Sequence, residues 1–260
     1  MIDIHCHLLH GLDDGSMNLE DAVAMARSAV HDGVSTILAT PHYNRGRYDT
    51  DSSVIRERAK ELSTELEHLG IPLRVMIGQE IRVHSQLLED LEAGHLLPLG
   101  ESSYVLLEFP SSRVPQRFEE MVHELRITGL RPIIAHPERN AEIAADPGRL
   151  AALVECGALC QITSHSLTGR FGRSVKSVAL DLCRRNLVHF IASDAHNATT
   201  RPYELSSAYR AAAEKLGADI VEYYKRNARA VVHNIPVIHK PTLQRRRPKS
   251  LFRGWSLFRS

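Results

Sequence analysis

Short apolar runs alternate with longer amphipathic stretches along most of the chain. Seven runs, at residues 1–5, 34–40, 73–78, 103–109, 131–136, 158–163 and 189–193, are rich in Val, Ile and Leu with little polar alternation. That is the pattern of strands buried on both faces. Helical patterns fill the intervals. In the first, Asn18 is a capping residue, Glu20 and Asp21 suit the positive end of a helix dipole, and Leu19, Ala22, Val23, Ala26 and Val30 share one face before Gly33. Residues 51–69 repeat the scheme and stop at Gly70. Further helices are predicted near 84–93, 115–128, 146–156, 173–186, 203–216 and 219–228. Seven strands alternating with helices predict one parallel sheet with right-handed crossovers, which closes into a TIM-like (β/α)7 barrel. A doubly wound open sheet is the alternative, but no GxGxxG turn follows the first strand. The barrel is expected over 1–235 and a basic linker and tail over 236–260.

Composition changes this picture in two places. The chain has 260 residues, 43% apolar and 24% charged, which suits a globular fold and excludes a disordered or fibrous one. No apolar run reaches about 18 residues, so no membrane-spanning helix is expected. No basic and apolar leader opens the chain, so no secretory signal is expected. Four scattered cysteines give no disulfide framework and fit the cytoplasm. Histidine is abundant, at 15 residues, and the net charge of +1 hides an asymmetry. Residues 240–260 hold seven Lys/Arg and no acid, leaving 25 basic against 31 acidic side chains elsewhere. An acidic, histidine-rich body is what a multi-metal site needs, and nothing implies a nucleic-acid partner. In the tail, Leu251, Phe252, Trp255 and Phe258 would share one face of a helix beside basic residues. A solvated, disordered tail is the favoured reading; the composition also suits the anionic inner face of a membrane, and docking on the acidic body or on a second subunit is a further option.

The chemistry-bearing residues fall where the strands end. His5 and His7 end the first, His42 the second, Glu80 the third, Glu108 the fourth, His136 the fifth, and Asp194 and His196 the last. Asp14 sits in the first loop. In a barrel these ends converge on one face. Imidazole and carboxylate suit Zn, Mn or Fe. Residues two apart on a strand point the same way, so His5 and His7 can reach one ion while Cys6 packs behind. Arg139, three residues past His136, and Arg201, five past His196, can reach the same face and grip a phosphate through two nitrogens, or else pair with a nearby carboxylate. Arg45 and Arg47, in Tyr43-Asn44-Arg45-Gly46-Arg47-Tyr48, either contact an acidic peptide or lie in a solvated loop.

These motifs resemble the PHP (polymerase and histidinol phosphatase) superfamily. Within it they are most similar to the manganese-dependent tyrosine phosphatases of bacterial capsule and exopolysaccharide loci, the CpsB/YwqE type. The resemblance rests on Met1-Ile2-Asp3-Ile4-His5-Cys6-His7, Gly11-Leu12-Asp13-Asp14-Gly15, Ala39-Thr40-Pro41-His42, Gly78-Gln79-Glu80, Ala135-His136-Pro137-Glu138-Arg139 and Ser193-Asp194-Ala195-His196-Asn197. Gln161-Ile162-Thr163 and Leu167-Thr168-Gly169-Arg170-Phe171-Gly172 add to it. It covers about residues 1–235 and implies a distorted barrel with the active site at the C-terminal strand ends. It also implies three divalent ions, most often Mn, with Fe or Zn as alternatives. His5, His7, Glu80 and Asp194 would hold one, Glu80, Glu108 and His136 a second, and Asp14, His42 and His196 a third. The implied substrate is the phosphotyrosine tail of a membrane-associated tyrosine autokinase.

Three other readings compete with a tyrosine phosphatase. A small phosphomonoester such as histidinol phosphate would use the same cluster. An amidohydrolase also begins with HxH, but that superfamily often has a bridging lysine where this chain has Glu80 and Glu108. A non-catalytic kinase partner would show decay of the ligand set, and none is visible.

Overall fold

The computed structural model describes residues 1–237. The expected tail beyond them, with Leu251, Phe252, Trp255 and Phe258, lies outside the described residues. In chain order the elements are β1 (Ile2–Cys6), α1 (Leu19–His31), β2 (Thr36–Ala39), β3 (His42–Tyr43), α2 (Ser52–His68), β4 (Arg74–Ile77), β5 (Glu80–Arg82), α3 (Leu87–Glu92), β6 (Tyr104–Glu108), α4 (Phe118–Ile127) and β7 (Arg131–Ala135). They continue through a tight helical turn (Pro137–Arg139), α5 (Ala141–Ala145), α6 (Pro147–Glu155), β8 (Leu159–Thr163), α7 (Ser164–Thr168), α8 (Arg173–Arg184), β9 (Phe190–Ala192), α9 (Leu205–Leu216) and α10 (Asp219–Val232).

All strand pairings within the sheets are parallel, but in place of one continuous sheet the strands form two, in the orders β1-β2-β4 and β3-β5-β6-β7-β8-β9. Beyond the predicted runs 34–40 and 73–78, a break is followed in each case by a further short strand. Pro41, which has no N–H to give, separates β2 from β3, and Gly78-Gln79 separates β4 from β5. Hydrogen bonds cross both breaks: Gly78 N–H donates to Ala39 O at 2.9 Å and Glu80 N–H to Pro41 O at 3.1 Å. At the other edge, Asp194 N–H donates to His5 O and His7 N–H to Ala195 O, both at 2.8 Å.

The strands hide their alternation because both faces are apolar. Val105, Leu107, Ile134 and Ile191 pack outward against helix residues such as Leu62, Phe118 and Leu150. Ile4, Leu106, Ile133, Phe190 and Ala192 form a second, inner cluster, joined by Ala228 and Val231 of α10. Followed toward the C-terminal ends with period two, the inner rows turn from apolar to charged. Leu106 leads to Glu108, and Ala192 leads to Asp194. The first helix is capped as predicted, with Asn18 Oδ1 accepting from Asp21 N–H at 2.8 Å. Its buried face is Ala22, Met25, Ala26 and Ala29, rotated slightly from the predicted one. None of the four cysteines forms a disulfide.

Candidate active site

Register brings the site residues together. His42 of β3 lies directly opposite Glu80 of β5, and Arg82 lies opposite Glu108 of β6. A register shift in β1 between Asp3 and Cys6 turns His5 and His7 to the inner side while Cys6 stays with the outer core. His136 follows an inward Ala135 and would point outward by simple alternation. It has left-handed backbone, φ 32°, and so does Asp194, φ 52°. Gly15 is required by contact, since a Cβ there would sit 2.2 Å from His7 O.

His42 and Glu80 open the short strands β3 and β5, where the sequence put them at the ends of unbroken ones; the breaks account for the difference. All nine predicted donors, His5, His7, Asp14, His42, Glu80, Glu108, His136, Asp194 and His196, meet at this face. Donor atoms within 4.8 Å of one another form three groups: His5, His7, Glu80 and Asp194; His7, Asp14, His42 and His196; and His42, Glu80 and Glu108. His136 Nε2 lies 2.7 Å from Glu80 Oε1, beside the third group.

The first group is the tightest. His5 Nε2 is 3.3 Å from His7 Nε2, and both are 3.2–3.4 Å from Glu80 Oε2 and Asp194 Oδ1. The second ring nitrogen of each histidine is committed. His5 Nδ1–H donates to Gln161 Oε1 at 2.9 Å, and His7 Nδ1–H to Asp13 Oδ2 at 2.6 Å. With both rings neutral, each Nε2 presents a lone pair to the other and to two carboxylate oxygens. Glu80 Oε2, with three imidazole nitrogens at 3.0–3.3 Å, accepts a well-aligned hydrogen bond from none of them, and buried His196 Nε2, 3.5 Å from Asp14 Oδ1, likewise makes none among the described residues. Four acceptors converging on one point repel unless a cation sits between them. Ligands about 2.0–2.2 Å from a single ion lie about 3–3.5 Å apart, which is the spacing seen. The donor set thus fits a divalent metal.

Burial works against charge on His5 and His7, but the carboxylates of Glu80 and Asp194, with Asp13 at His7, outweigh it and raise both, so the pocket calls for positive charge where a metal ion would supply it. Burial pushes His136 and His196 down to about 4, so both are neutral imidazoles, the ligating form. Burial, then the charge of Glu80, pushes Glu108 up to about 7. Burial works against the charge on Asp194, but His5, His7, Arg201 and Arg139 outweigh it and hold the carboxyl well below its usual range.

Arg139 Nη1 and Arg201 Nη2 both donate to Asp194 Oδ2, at 2.7 and 2.6 Å. Each uses one nitrogen there, and both guanidinium groups line a 160 Å³ cavity over the cluster. Phe171 lies beneath both, its ring centroid 5.2 Å from Arg139 Cζ and 6.0 Å from Arg201 Cζ. Arg82 pairs with Glu108 at 3.0 Å and donates to Phe109 O at 2.8 Å. Sequence reasoning assigned no role to Asp13, Gln161, Arg82 or Phe171. The one available signal was Gln161, a polar residue inside a buried apolar strand.

Comparison with known proteins places this geometry. The family described as capsular polysaccharide synthesis, CpsB/CapC, matches residues 1–233. Tyrosine-protein phosphatase YwqE of Bacillus subtilis is 43% identical over 241 residues, covering 93% of this chain and 95% of that one. Tyrosine-protein phosphatase CpsB of Streptococcus pneumoniae is 30% identical over 223 residues, covering 84% and 92%. A crystal structure from work on YwqE and CpsB as metal-dependent tyrosine phosphatases superposes with a TM-score of 0.91 at 43% identity, covering 93% of this chain and 98% of the other.

Proposed function

The chain belongs to the CpsB/CapC capsular polysaccharide synthesis family, and from that premise we propose that it is a metal-dependent protein-tyrosine phosphatase. Its substrate is the phosphotyrosine tail of a membrane-associated tyrosine autokinase, at the cytoplasmic face, in control of capsule or exopolysaccharide synthesis. The observation that carries the reading is the convergence of two imidazole nitrogens and two carboxylate oxygens at 3.2–3.4 Å beneath a cavity lined by arginines. Residues 1–235 form the catalytic domain, a seven-stranded barrel once the two broken strands are counted as single ones. Residues 236–260 are a basic linker and tail whose charge suits contact with an anionic membrane.

His5, His7, Glu80 and Asp194 would hold one ion; Glu80, Glu108, His42 and His136 would surround a second; Asp14, His42 and His196 would hold a third, with His7 adjacent. Manganese is the first candidate, ahead of iron and zinc. Divalent ions held there supply a nucleophile from water at neutral pH and neutralise charge on phosphoryl oxygens. Gln161 and Asp13 fix the tautomers of His5 and His7. Arg139 and Arg201 keep one nitrogen each on Asp194 and offer the others to the phosphoryl oxygens, binding the substrate and stabilising charge as it redistributes. Phenolate is a fair leaving group, since tyrosine's pKa is about 10, so the demand on a general acid is small.

The test combines metal analysis with turnover. The purified protein should contain three divalent ions per chain, and it should hydrolyse a phosphotyrosine peptide in preference to histidinol phosphate. Preference for histidinol phosphate would replace the tyrosine phosphatase with a small-molecule one, and a chain that binds no divalent ion would end both readings.

A further inference from the structure

Four arginines line the cavity: Arg47, Arg82, Arg139 and Arg201. Three are already committed to carboxylates, Arg82 to Glu108 and the other two to Asp194. Arg47 is not: no carboxylate of the described residues lies within 4.0 Å of it. What holds it is the ring of Tyr48, whose centroid is 5.0 Å from Arg47 Cζ. The same ring stacks on His42 of the cluster, 5.6 Å between centroids and 11° between planes. Arg47 is therefore one aromatic ring removed from a donor of the metal site.

The loop that carries it is ordered by its own hydrogen bonds. Asn44 and Tyr48 exchange a pair, Asn44 N–H to Tyr48 O at 3.0 Å and Tyr48 N–H to Asn44 O at 2.8 Å. Gly46 takes the left-handed turn, φ 78°, and its N–H donates to Asp49 Oδ2 at 2.7 Å. Arg45 is drawn toward α3, where Gln86 accepts from it and Asp90 lies 4.0 Å away. Its neighbour but one is left exposed at the cavity mouth. An exposed guanidinium gains little from an ordinary surface pair. One held beside a cavity that binds a phosphoryl group has a preorganised fork for a second anion.

We infer that Arg47, seated on Tyr48, reads an anionic group next to the phosphotyrosine, so that the preferred substrate is an acidic peptide. This rests on the phosphatase reading above and adds to it a recognition element outside the metal cluster. Two groups share the required chemistry, the carboxylate of a flanking Asp or Glu and a second phosphotyrosine.

Binding tests it without depending on turnover. Peptides carrying a non-hydrolysable phosphonomethyl-phenylalanine, flanked by glutamates, by neutral residues or by a second such phosphonate, are titrated into the full chain in manganese buffer. The parent should bind an acid-flanked or doubly phosphonylated peptide about tenfold tighter than the neutral one, the scale of one hydrogen bond to a charged group. In Arg47→Ala that ratio should fall toward one, and Arg47→Lys should recover part of it. Whichever anionic peptide shows the Arg47-dependent gain identifies the source. A parent with no preference, or an Arg47→Ala protein with the parent's ratio, overturns the inference. Hydrolysis of p-nitrophenyl phosphate by the parent is read separately. If it is absent while the ratio depends on Arg47, the recognition stands and the phosphatase reading falls.

Discussion

His5, His7, Glu80 and Asp194 are at most 1% exposed, with donor atoms 3.2–3.4 Å apart, whereas Asp14 at the mouth is 48% exposed and stands 3.5 Å from both His42 and His196. The deep histidines each have a partner fixing the ring, Gln161 and Asp13. Asp14 has only the histidines it faces. The deep half is assembled from β1, β5 and the segment after β9, elements locked by the sheet. The mouth draws on a loop and on the first residue of a two-residue strand. A rigid, dry site holds an ion tightly, and an open one leaves room for a substrate to reach it. The two halves meet in Glu80, whose Oε2 lies 3.0 Å from His42 and 3.2 Å from His5.

That junction offers the strongest test. Glu80→Gln removes the charge that both halves share, so it should lower metal content by more than one ion per chain and reduce kcat by several orders of magnitude. Metal analysis and steady-state rates on the same preparation check it. A variant with full metal content would show that the halves are independent. Asp14→Asn acts on the mouth alone. One ion should be lost, transition-state stabilisation should drop by several kcal/mol, and the melting temperature of the metal-free protein should hardly move, because the carboxylate is half exposed. A large fall in thermal stability would erase the distinction between deep half and mouth. Arg139→Lys keeps a positive charge beside Asp194 and loses the fork. A loss of about 2–4 kcal/mol in kcat/KM, with unchanged metal content, is expected by analogy with removing one preorganised donor. Parent-like kcat/KM would make Arg139 a structural partner of Asp194 and leave Arg201 as the phosphate binder. Gln161→Ala is the mildest. Deep-site metal affinity should weaken about 10–100-fold, with kcat near normal once metal is saturating. Competition with a chelator measures it, and unchanged affinity would mean that Gln161 only fills space.

Much of this was legible in the sequence, and the parts that were not share a cause. Each of the seven strand runs contains observed strand, and the capping of α1 by Asn18 came from local chemistry that a single sequence carries. The short strands β3 and β5 beyond Pro41 and Gly78-Gln79 did not register, because two or three residues are too few to show an alternation. The small helices Ala141–Ala145 and Ser164–Thr168 were missed as well; at five residues each they are too short for periodicity to register. Among the site residues, the metal-capable ones announced themselves by type and place. Asp13, Gln161, Arg82 and Phe171 did not, since their parts depend on who stands opposite. Gln161 meets His5 across 156 positions of sequence, and no local pattern encodes such a partner.

The left-handed backbone at His136 and Asp194 has a consequence for anyone who would improve this protein. Each such non-glycine residue costs on the order of 1–3 kcal/mol, against a total margin of about 5–15 kcal/mol for a typical domain. Glycine would relax either position, and a search guided only by folding free energy would therefore turn to these two early. It would return a sturdier chain with two of its nine inward-facing donors gone. At these two positions the chain keeps its chemistry at the expense of robustness, whereas the left-handed backbone of Arg117, Asn186 and Asn234 serves no donor.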